Sequence, residues 1–211
     1  MDLWNQGARS AQPQEQRDVP AIILRTHATP VLTDLPRHWL RGDPFATAFL
    51  NSLSAVFPVG ETFMMRSVAA WRSSLSGQLR DDCDAFVQQE AGHSSEHDSF
   101  NAAITGSGYD LTPLKKVIEG FVGRFARASD LTKLGATMCI EHFTAMIAAE
   151  MLHNDHHLAG CDPKIAAIWH WHAVEEIEHK AVAFDIWQHA TRDWSSTRRY
   201  LPQTALMLVV T

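Results

Sequence analysis

The sequence predicts an all-α protein built as a helical bundle, and three observations lead to that prediction. From residue 43 onwards, apolar residues recur at the spacing of amphipathic helices. Helix start signals, in which Asp or Thr precedes Pro, stand at residues 43, 112 and 162. No alternation of apolar and polar residues typical of paired strands follows residue 40. Long helices joined by tight turns are therefore expected to pack around one core.

The predicted helices follow one another along the chain and span about 44–75, 79–104, 112–128, 130–159 and 163–191. The first is expected to bend near Pro58 and Gly60. Ser129 or Asp130 caps the fourth, and Gly160 ends it. The last residues, RRYLPQTALMLVVT, look like the first turns of a sixth helix. Because they stop within an apolar run, we expect the natural protein to continue.

The length of 211 residues suits one sizeable core better than two domains. Residues 1–20 are polar and rich in Gln, and we expect them to form a poorly ordered tail. Residues 21–211 are expected to form a single helical bundle domain. Its first stretch, AIILRTHATPVL, fits an extended segment.

Composition and missing motifs exclude several classes of function. The net charge of -6 gives no basic surface for nucleic acid. No segment reaches the ~20 apolar residues that span a bilayer, and the N-terminus lacks the apolar core of a secretory signal. Cys83, Cys139 and Cys161 form no CxxC pair, so we interpret them as free thiols of a cytoplasmic protein. Without a P-loop, dinucleotide fingerprint or nucleophile elbow, no nucleotide cofactor is expected.

Carboxylate and imidazole side chains recur on four of the predicted helices. Residues three apart on a helix lie on one face, so Glu-x-x-His presents both groups to a common point. With ten glutamates and twelve histidines, about one such motif is expected by chance. The sequence contains three: Glu90/His93, Glu150/His153 and Glu176/His179.

The order of the glutamates along the chain and their distances from the turns strengthen the prediction that two of these motifs bind metal. Glu61 and Glu90 lie 16 residues before and 13 residues after the glycine between the first two helices. Glu141 and Glu176 lie 19 residues before and 16 residues after the glycine between the fourth and fifth. At ~1.5 Å per residue, all four lie ~20–28 Å from the turns. A single Glu followed by Glu-x-x-His thus occurs twice in the same arrangement, in apolar surroundings where an unpartnered carboxylate would be costly.

Three further residues are candidates for the metal site. Glu150 is half a turn out of phase with Glu141, so we prefer Glu141 and expect Glu150 on a solvent face. His172 lies four residues before the last glutamate and is expected to be a seventh ligand. His97 lies four residues after His93 and is expected to be an additional ligand or a donor behind the ligands.

The predicted metal ligands are therefore Glu61, Glu90, His93, Glu141, His172, Glu176 and His179. Four carboxylates with imidazoles suit a pair of divalent ions in a helical bundle. This ligand chemistry favours two iron ions, with manganese or zinc as alternatives. No catalytic residue beyond the metal site is predicted.

These motifs carry a family resemblance over the segment from about Leu35 to Trp187. GETFMM, QQEAGHSSEH, CIEHFTA and WHAVEEIEHKAVAFD resemble the bacterial family labelled predicted metal-dependent hydrolases, which is itself similar to ferritin-like di-metal carboxylate proteins. The resemblance implies a ferritin-like bundle with a four-helix metal-binding core, and further helices after residue 211. The H-x-x-x-E-x-x-H run also resembles arylamine N-oxygenases among di-iron enzymes, which implies an extra histidine ligand at His172, beside Glu176 and His179.

Three functions are consistent with the sequence. The first, narrowly preferred, is a di-iron enzyme that activates O2 to oxidise or oxygenate a small organic substrate, with electrons from a separate reductase. The second is a hydrolase that uses a metal-activated water. The third is a non-catalytic iron-binding bundle, which would need a cage-forming oligomer. A homodimer is expected for the first two, because ferritin-like bundles commonly pair through helix faces.

Overall fold

The structure, a computed structural model, describes residues 22–25, 27, 30 and 32–210. Within these residues, all regular secondary structure is helical, so the all-α prediction is confirmed. The tail predicted at residues 1–20 lies outside the described residues. None of the helices in the described part of the chain has the length and apolar character needed to cross a bilayer.

Six α-helices follow in order: α1 (Pro44–Ala69), α2 (Gln78–Gly106), α3 (Thr112–Arg124), α4 (Asp130–His153), α5 (Pro163–Ala190) and α6 (Ser196–Val210). The starts of α1, α4 and α5 follow the predicted caps, whereas α3 begins at Thr112 itself, and its N-cap residue, Leu111, makes no side-chain cap hydrogen bond. The Asp43 carboxylate accepts hydrogen bonds from the first amides of α1. Ser129 rather than Asp130 caps α4, since its hydroxyl accepts a hydrogen bond from the Thr132 amide at 3.1 Å. Asp162 caps α5 in the same way.

Three predicted helix ends are wrong. α1 and α3 end six and four residues before their predicted ends, and α4 ends seven residues before Gly160. After α1 the chain tightens into a 3-10 turn, in which the Ser74 hydroxyl donates to the Trp71 carbonyl at 2.7 Å. After α4, Asn154 leaves the helical conformation, and its side-chain amide donates back to Glu150. Asn ends a helix readily because its side chain competes for local hydrogen bonds.

The interior proline of α1 is accommodated by the neighbouring helix. α1 continues through Pro58, which has no N–H to donate to the carbonyl of Ser54, four residues earlier. The side-chain amide of Asn101 on α2 donates to that carbonyl instead, at 2.9 Å. The proline therefore ties α1 to α2 through a buried polar contact.

The four longest helices form the core of the bundle. α1 pairs with α2, and α4 pairs with α5, each through a short connection that reverses the chain. α1 also contacts α4, and α2 contacts α5, so the two pairs close around a common interior. α3 packs on α1, and α6 packs on α4.

The interior has two apolar layers. One contains, among others, Leu50, Phe100, Ile104, Met151 and Trp169. The other contains, among others, Phe63, Val68, Phe86, Leu134 and Ile186. On each core helix, the Glu and His candidates lie in sequence between residues of the two layers. These Glu and His residues therefore form a polar level in the middle of the bundle, between the two apolar layers.

Candidate metal centre

The seven predicted ligands all lie in this polar level. Their exposed fractions are between 0% and 3%: Glu61, Glu90, His93, Glu141, His172, Glu176 and His179. α1 supplies one, α2 two, α4 one and α5 three. Carboxylates are almost never fully buried unless they are paired, so four carboxylates at one level, together with three imidazoles, need a common partner.

Glu176 lies at the centre of the cluster. Its Oε1 lies 3.0 Å from His172 Nε2 and 3.5 Å from the Nδ1 atoms of both His93 and His179. Glu90 Oε1 lies 3.0 Å from His179 Nδ1. Glu90, His93, Glu176 and His179 each offer one ligand atom, and these four atoms lie within 4.8 Å of one another. They are close enough to hold one ion.

A second group of ligand atoms overlaps the first at His93. Glu61, His93 and His172 also offer one atom each within 4.8 Å of one another. Glu61 Oε1 lies 3.8 Å from His172 Nε2, and Glu61 Oε2 accepts a hydrogen bond from the Ser94 hydroxyl at 2.8 Å. Two adjacent sets of ligand atoms therefore share the polar level.

Glu141 approaches the cluster from α4. It belongs to neither 4.8 Å group, but its carboxylate is fully buried, and its strongest charge interactions are with Glu176 and Glu90. Both of its oxygens lack a hydrogen-bond partner among the described residues. Glu141 thus adds a fourth carboxylate at the edge of the cluster.

The donor atoms of this cluster fit a bound metal. Eight of them are buried without a hydrogen-bond partner among the described residues: Glu61 Oε1, both oxygens of Glu90 and of Glu141, Glu176 Oε2, and the Nδ1 atoms of His93 and His179. An unsatisfied buried polar group costs about 1–3 kcal/mol, and a native structure keeps few of them. Divalent cations accept lone pairs from both carboxylate oxygens and imidazole nitrogens, and so would satisfy all eight.

Side chains behind the cluster orient two of its histidines. His93 Nε2 lies 3.0 Å from Glu175 Oε2, and His179 Nε2 lies 2.8 Å from Gln89 Oε1. Both oxygens are acceptors, so each Nε2 carries the hydrogen and each Nδ1 is left for the cluster. Neither Glu175 nor Gln89 was among the residues predicted from the sequence. Each directly precedes a predicted ligand, a position about 100° away around the helix that no spacing rule assigns to the site.

The segment before α1 covers this outer layer. Arg25 pairs with Glu178 at 2.6 Å and lies 3.7 Å from Glu175. The Ile23 amide donates to Glu178 at 3.1 Å, and the Ile23 carbonyl accepts from Gln89 at 3.1 Å. The guanidinium of Arg25 therefore offsets the charge of two buried carboxylates behind the cluster.

His97 and Glu150 occupy different surroundings from the seven. His97 is fully buried, but Ser54 and His172 engage its two nitrogens at 2.9 Å and 2.6 Å. Of the two roles expected for His97, a position behind the ligands fits this geometry. The Glu150 side chain is 60% exposed and pairs with His157 at 2.9 Å, on the solvent face expected for it.

Two cavities differ in their relation to the cluster. A cavity of about 30 Å³, close to the volume of one water molecule, is lined by Phe57, Ile147, Ala148 and Met151 and reaches His172 and Glu176. A groove of about 760 Å³ runs between α1 and α3, but none of the seven cluster residues lines it in the described part of the chain. Of these two, the small apolar cavity is the one that reaches the cluster.

Burial and neighbouring charges shift the pKa of the carboxylates in opposite directions. Burial raises the pKa of Glu61 well above its ordinary value, and Glu90 raises it further. Burial also raises the pKa of Glu141 well above its ordinary value, with Glu176 as the next cause. Burial acts to raise the pKa of Glu176 too, but close contacts with the imidazoles, His172 first, outweigh burial and hold it well below its ordinary value.

The imidazoles divide into two classes. Burial acts to lower the pKa of His93 and of His179, but their carboxylate neighbours outweigh it. The pKa of His93 rises to about 9, and that of His179 rises well above its ordinary value. Burial lowers the pKa of His97 and of His172. The carboxylates therefore favour the cationic forms of His93 and His179 without metal, whereas burial disfavours the cationic forms of His97 and His172.

Metal uptake near neutral pH is expected to release protons from this cluster. The raised pKa values favour the protonated forms of Glu61, Glu141, His93 and His179 in the metal-free protein, whereas a metal ion binds carboxylates and neutral imidazoles. The apparent affinity should therefore increase with pH up to about 9, the pKa of His93. Calorimetric titration with Zn²⁺ in two buffers of different ionisation enthalpy measures the release. Equal heats in both buffers would contradict the expectation.

Comparison with known proteins gives a family for the chain. A family model described as "Predicted metal-dependent hydrolase" matches residues 24–211, a range that includes all six α-helices and all seven cluster residues. No curated protein and no solved structure matches the chain. The resemblance found in the sequence motifs is confirmed: the chain belongs to the family of predicted metal-dependent hydrolases.

Proposed function

We propose that the chain is a metal-dependent hydrolase and that its active site is the buried cluster, which holds two divalent ions. The proposed ligands are Glu61, Glu90, His93, Glu141, His172, Glu176 and His179. The observation that carries the proposal is the set of eight buried, unpartnered oxygen and nitrogen atoms at one level of the bundle, in a member of this family. The negative charge of four carboxylates balances the positive charge of two divalent ions.

The distances suggest how the ligands divide between two ions. Glu90 and Glu176 would lie between the two groups of ligands, because they are closest to imidazoles on both sides of the cluster. Of the remaining five, Glu61, His93 and His172 would hold metal on one side, and Glu141 and His179 on the other.

The chain contributes orientation and a dry environment to the proposed reaction. Two divalent ions held by these residues would act as Lewis acids on a carbonyl or phosphoryl oxygen and would lower the pKa of a bound water. The apolar layers above and below the cluster exclude bulk water, which strengthens electrostatic interactions inside the level. Glu175 and Gln89 keep the Nδ1 atoms of His93 and His179 turned inward. These residues would hold the ligands in place while the substrate exchanges.

Oxygen activation at two iron ions is the second candidate. The sequence alone favoured it narrowly, whereas the family match supports hydrolysis. One observation favours it: the small cavity that reaches His172 and Glu176 has mostly apolar walls, which suit an apolar molecule such as O2. It would require a separate reductase. That partner, a small-molecule substrate and a homodimer stay predictions.

Metal substitution is expected to separate the two reactions. Protein purified without added metal is analysed for bound ions, and the metal-free protein is then loaded with Zn²⁺, Mn²⁺ or Fe²⁺. Hydrolysis predicts turnover of ester, phosphate or lactam substrates by the Zn²⁺ or Mn²⁺ form without O2, because the ions act only as Lewis acids. Turnover that requires both Fe²⁺ and O2, with O2 consumption and a transient visible absorption, would overturn hydrolysis in favour of oxidation. Failure to bind any of these ions would refute both.

A further inference from the structure

A chain of hydrogen bonds leads from α1 and α2 to the outer nitrogen of His172. Asn101 Oδ1 lies 2.9 Å from Ser54 Oγ, which lies 2.9 Å from His97 Nδ1. His97 Nε2 lies 2.6 Å from His172 Nδ1. Asn101, Ser54 and His97 are at most 2% exposed, and none is a proposed ligand. We call these three residues the relay.

Pro58 determines which way the Asn101 amide points. The Ser54 carbonyl lacks its helical donor because Pro58 has no N–H, and a carbonyl can only accept. The nitrogen of the Asn101 side chain must therefore face that carbonyl, as it does at 2.9 Å. This orientation leaves the amide oxygen of Asn101 facing the Ser54 hydroxyl.

The orientation of the Asn101 amide determines the donor and the acceptor of each further hydrogen bond in the relay. The amide oxygen accepts, so the Ser54 hydroxyl gives its single hydrogen to Asn101. Ser54 Oγ then has only lone pairs left for His97, and the hydrogen between them must be on His97 Nδ1.

The donor and acceptor of the hydrogen bond between His97 and His172 are fixed in the same way. The ring of His97 is fully buried against Phe57 and Trp169, at centroid distances of 4.8 Å and 5.2 Å. Its nitrogens face a hydroxyl and an imidazole rather than a carboxylate, so a buried cation there would be uncompensated. With its hydrogen on Nδ1, the neutral ring accepts at Nε2. His172 must therefore donate from Nδ1.

The consequence is a bare lone pair on His172 Nε2. This nitrogen lies 3.0 Å from Glu176 Oε1 and 3.8 Å from Glu61 Oε1. An unprotonated nitrogen and a carboxylate oxygen both only accept, so in this tautomer the 3.0 Å contact needs a cation between the two atoms, a metal ion in the loaded protein or a proton in the metal-free protein. His93 and His179 turn Nδ1 to the cluster, so His172 is the ligand whose ring must be held in the opposite sense.

We propose that Asn101, Ser54 and His97 are positioning residues, which hold His172 in the tautomer that directs its Nε2 lone pair to a metal ion. The proposal rests on the proposed function only in that the cluster must bind metal. The relay acts through His172 and does not touch the ion, the water or the substrate.

Two matched pairs of variants test the relay. Ser54→Ala removes the acceptor for His97, whereas Ser52→Ala removes an exposed hydroxyl on the same helix, which bonds only to its own helix. His97→Leu removes the acceptor for His172, whereas His97→Gln keeps an oxygen that can accept from His172 Nδ1. Zn²⁺ affinity is measured by competition with a chelator, and circular dichroism checks the fold of each variant. In ¹⁵N spectra of the metal-free protein, the ring nitrogens of His172 report its tautomer.

We expect Ser54→Ala and His97→Leu to weaken Zn²⁺ binding about 10- to 100-fold, as for other residues that orient metal ligands. Ser52→Ala and His97→Gln should stay within about threefold of the unmodified protein. The metal-free protein should carry the His172 hydrogen on Nδ1, and His97→Leu should show a mixture of tautomers. Unchanged Zn²⁺ affinity in folded His97→Leu, or a His172 Nδ1 that carries no hydrogen in the unmodified protein, would overturn the relay. Absence of Zn²⁺ binding by the unmodified protein would instead refute the proposed metal site, while the tautomer spectrum still decides the relay.

Discussion

Replacement of Glu141 by leucine is expected to stabilise the metal-free protein and to weaken its stabilisation by metal. Glu141 is fully buried, and both its oxygens lack a hydrogen-bond partner among the described residues. An apolar side chain of similar size removes that cost, about 1–3 kcal/mol, which corresponds to roughly 2–12 °C in Tm for a chain of this size. The same change removes a proposed ligand, so saturating Zn²⁺ should raise Tm less than in the unmodified protein.

Glu150→Leu is the matched control, because Glu150 lies on the same helix with its side chain 60% exposed. Its effect on stability should stay within about 0.5 kcal/mol, and its response to Zn²⁺ should be unchanged. Thermal melts with Zn²⁺ and with a chelator provide both measurements. If Glu141→Leu lost stability without metal and kept the full response to Zn²⁺, Glu141 would be a structural residue and not a ligand.

Replacement of Glu176 by alanine is expected to have the largest effect on metal content. Glu176 Oε1 approaches the imidazoles of His172, His93 and His179, and no other carboxylate in the cluster approaches three. Without it, both proposed ions lose a shared ligand, and bound metal should fall to background. Any metal-dependent turnover should fall at least about 1,000-fold, since the loss of both ions removes several kcal/mol of transition-state stabilisation.

Two companion variants make the result interpretable. Glu176→Gln keeps the size of the side chain and should lose metal even if Glu176→Ala fails to fold. Glu175→Gln changes the neighbouring residue, which faces His93 from outside the cluster, and should retain both ions with affinity lower by about 10- to 100-fold. Metal analysis of the purified proteins distinguishes the cases. Two ions in folded Glu176→Gln would place the metal elsewhere.

Much of the site was predictable because its ligands recur at helical spacing. The pair Glu90 and His93 and the pair Glu176 and His179 each lie three residues apart, which puts both members on one helix face. The matched distances of the single glutamates from the turns predicted a common level, and the structure brings them to one level. The helix ends were less predictable, as at Asn154, because a side chain that competes for backbone hydrogen bonds ends a helix without Gly or Pro.

The sequence by itself therefore determined the helices, the family and which side chains could face the middle of the bundle, because helix periodicity is a local property of the chain. Only the tertiary structure decided what stands behind those side chains. Glu175 meets His93 across 82 residues of sequence, and Ser54 meets His97 across 43. Such contacts depend on how each helix is rotated and shifted against its neighbours, which is set by the packing of whole helix surfaces and not by spacing within one helix.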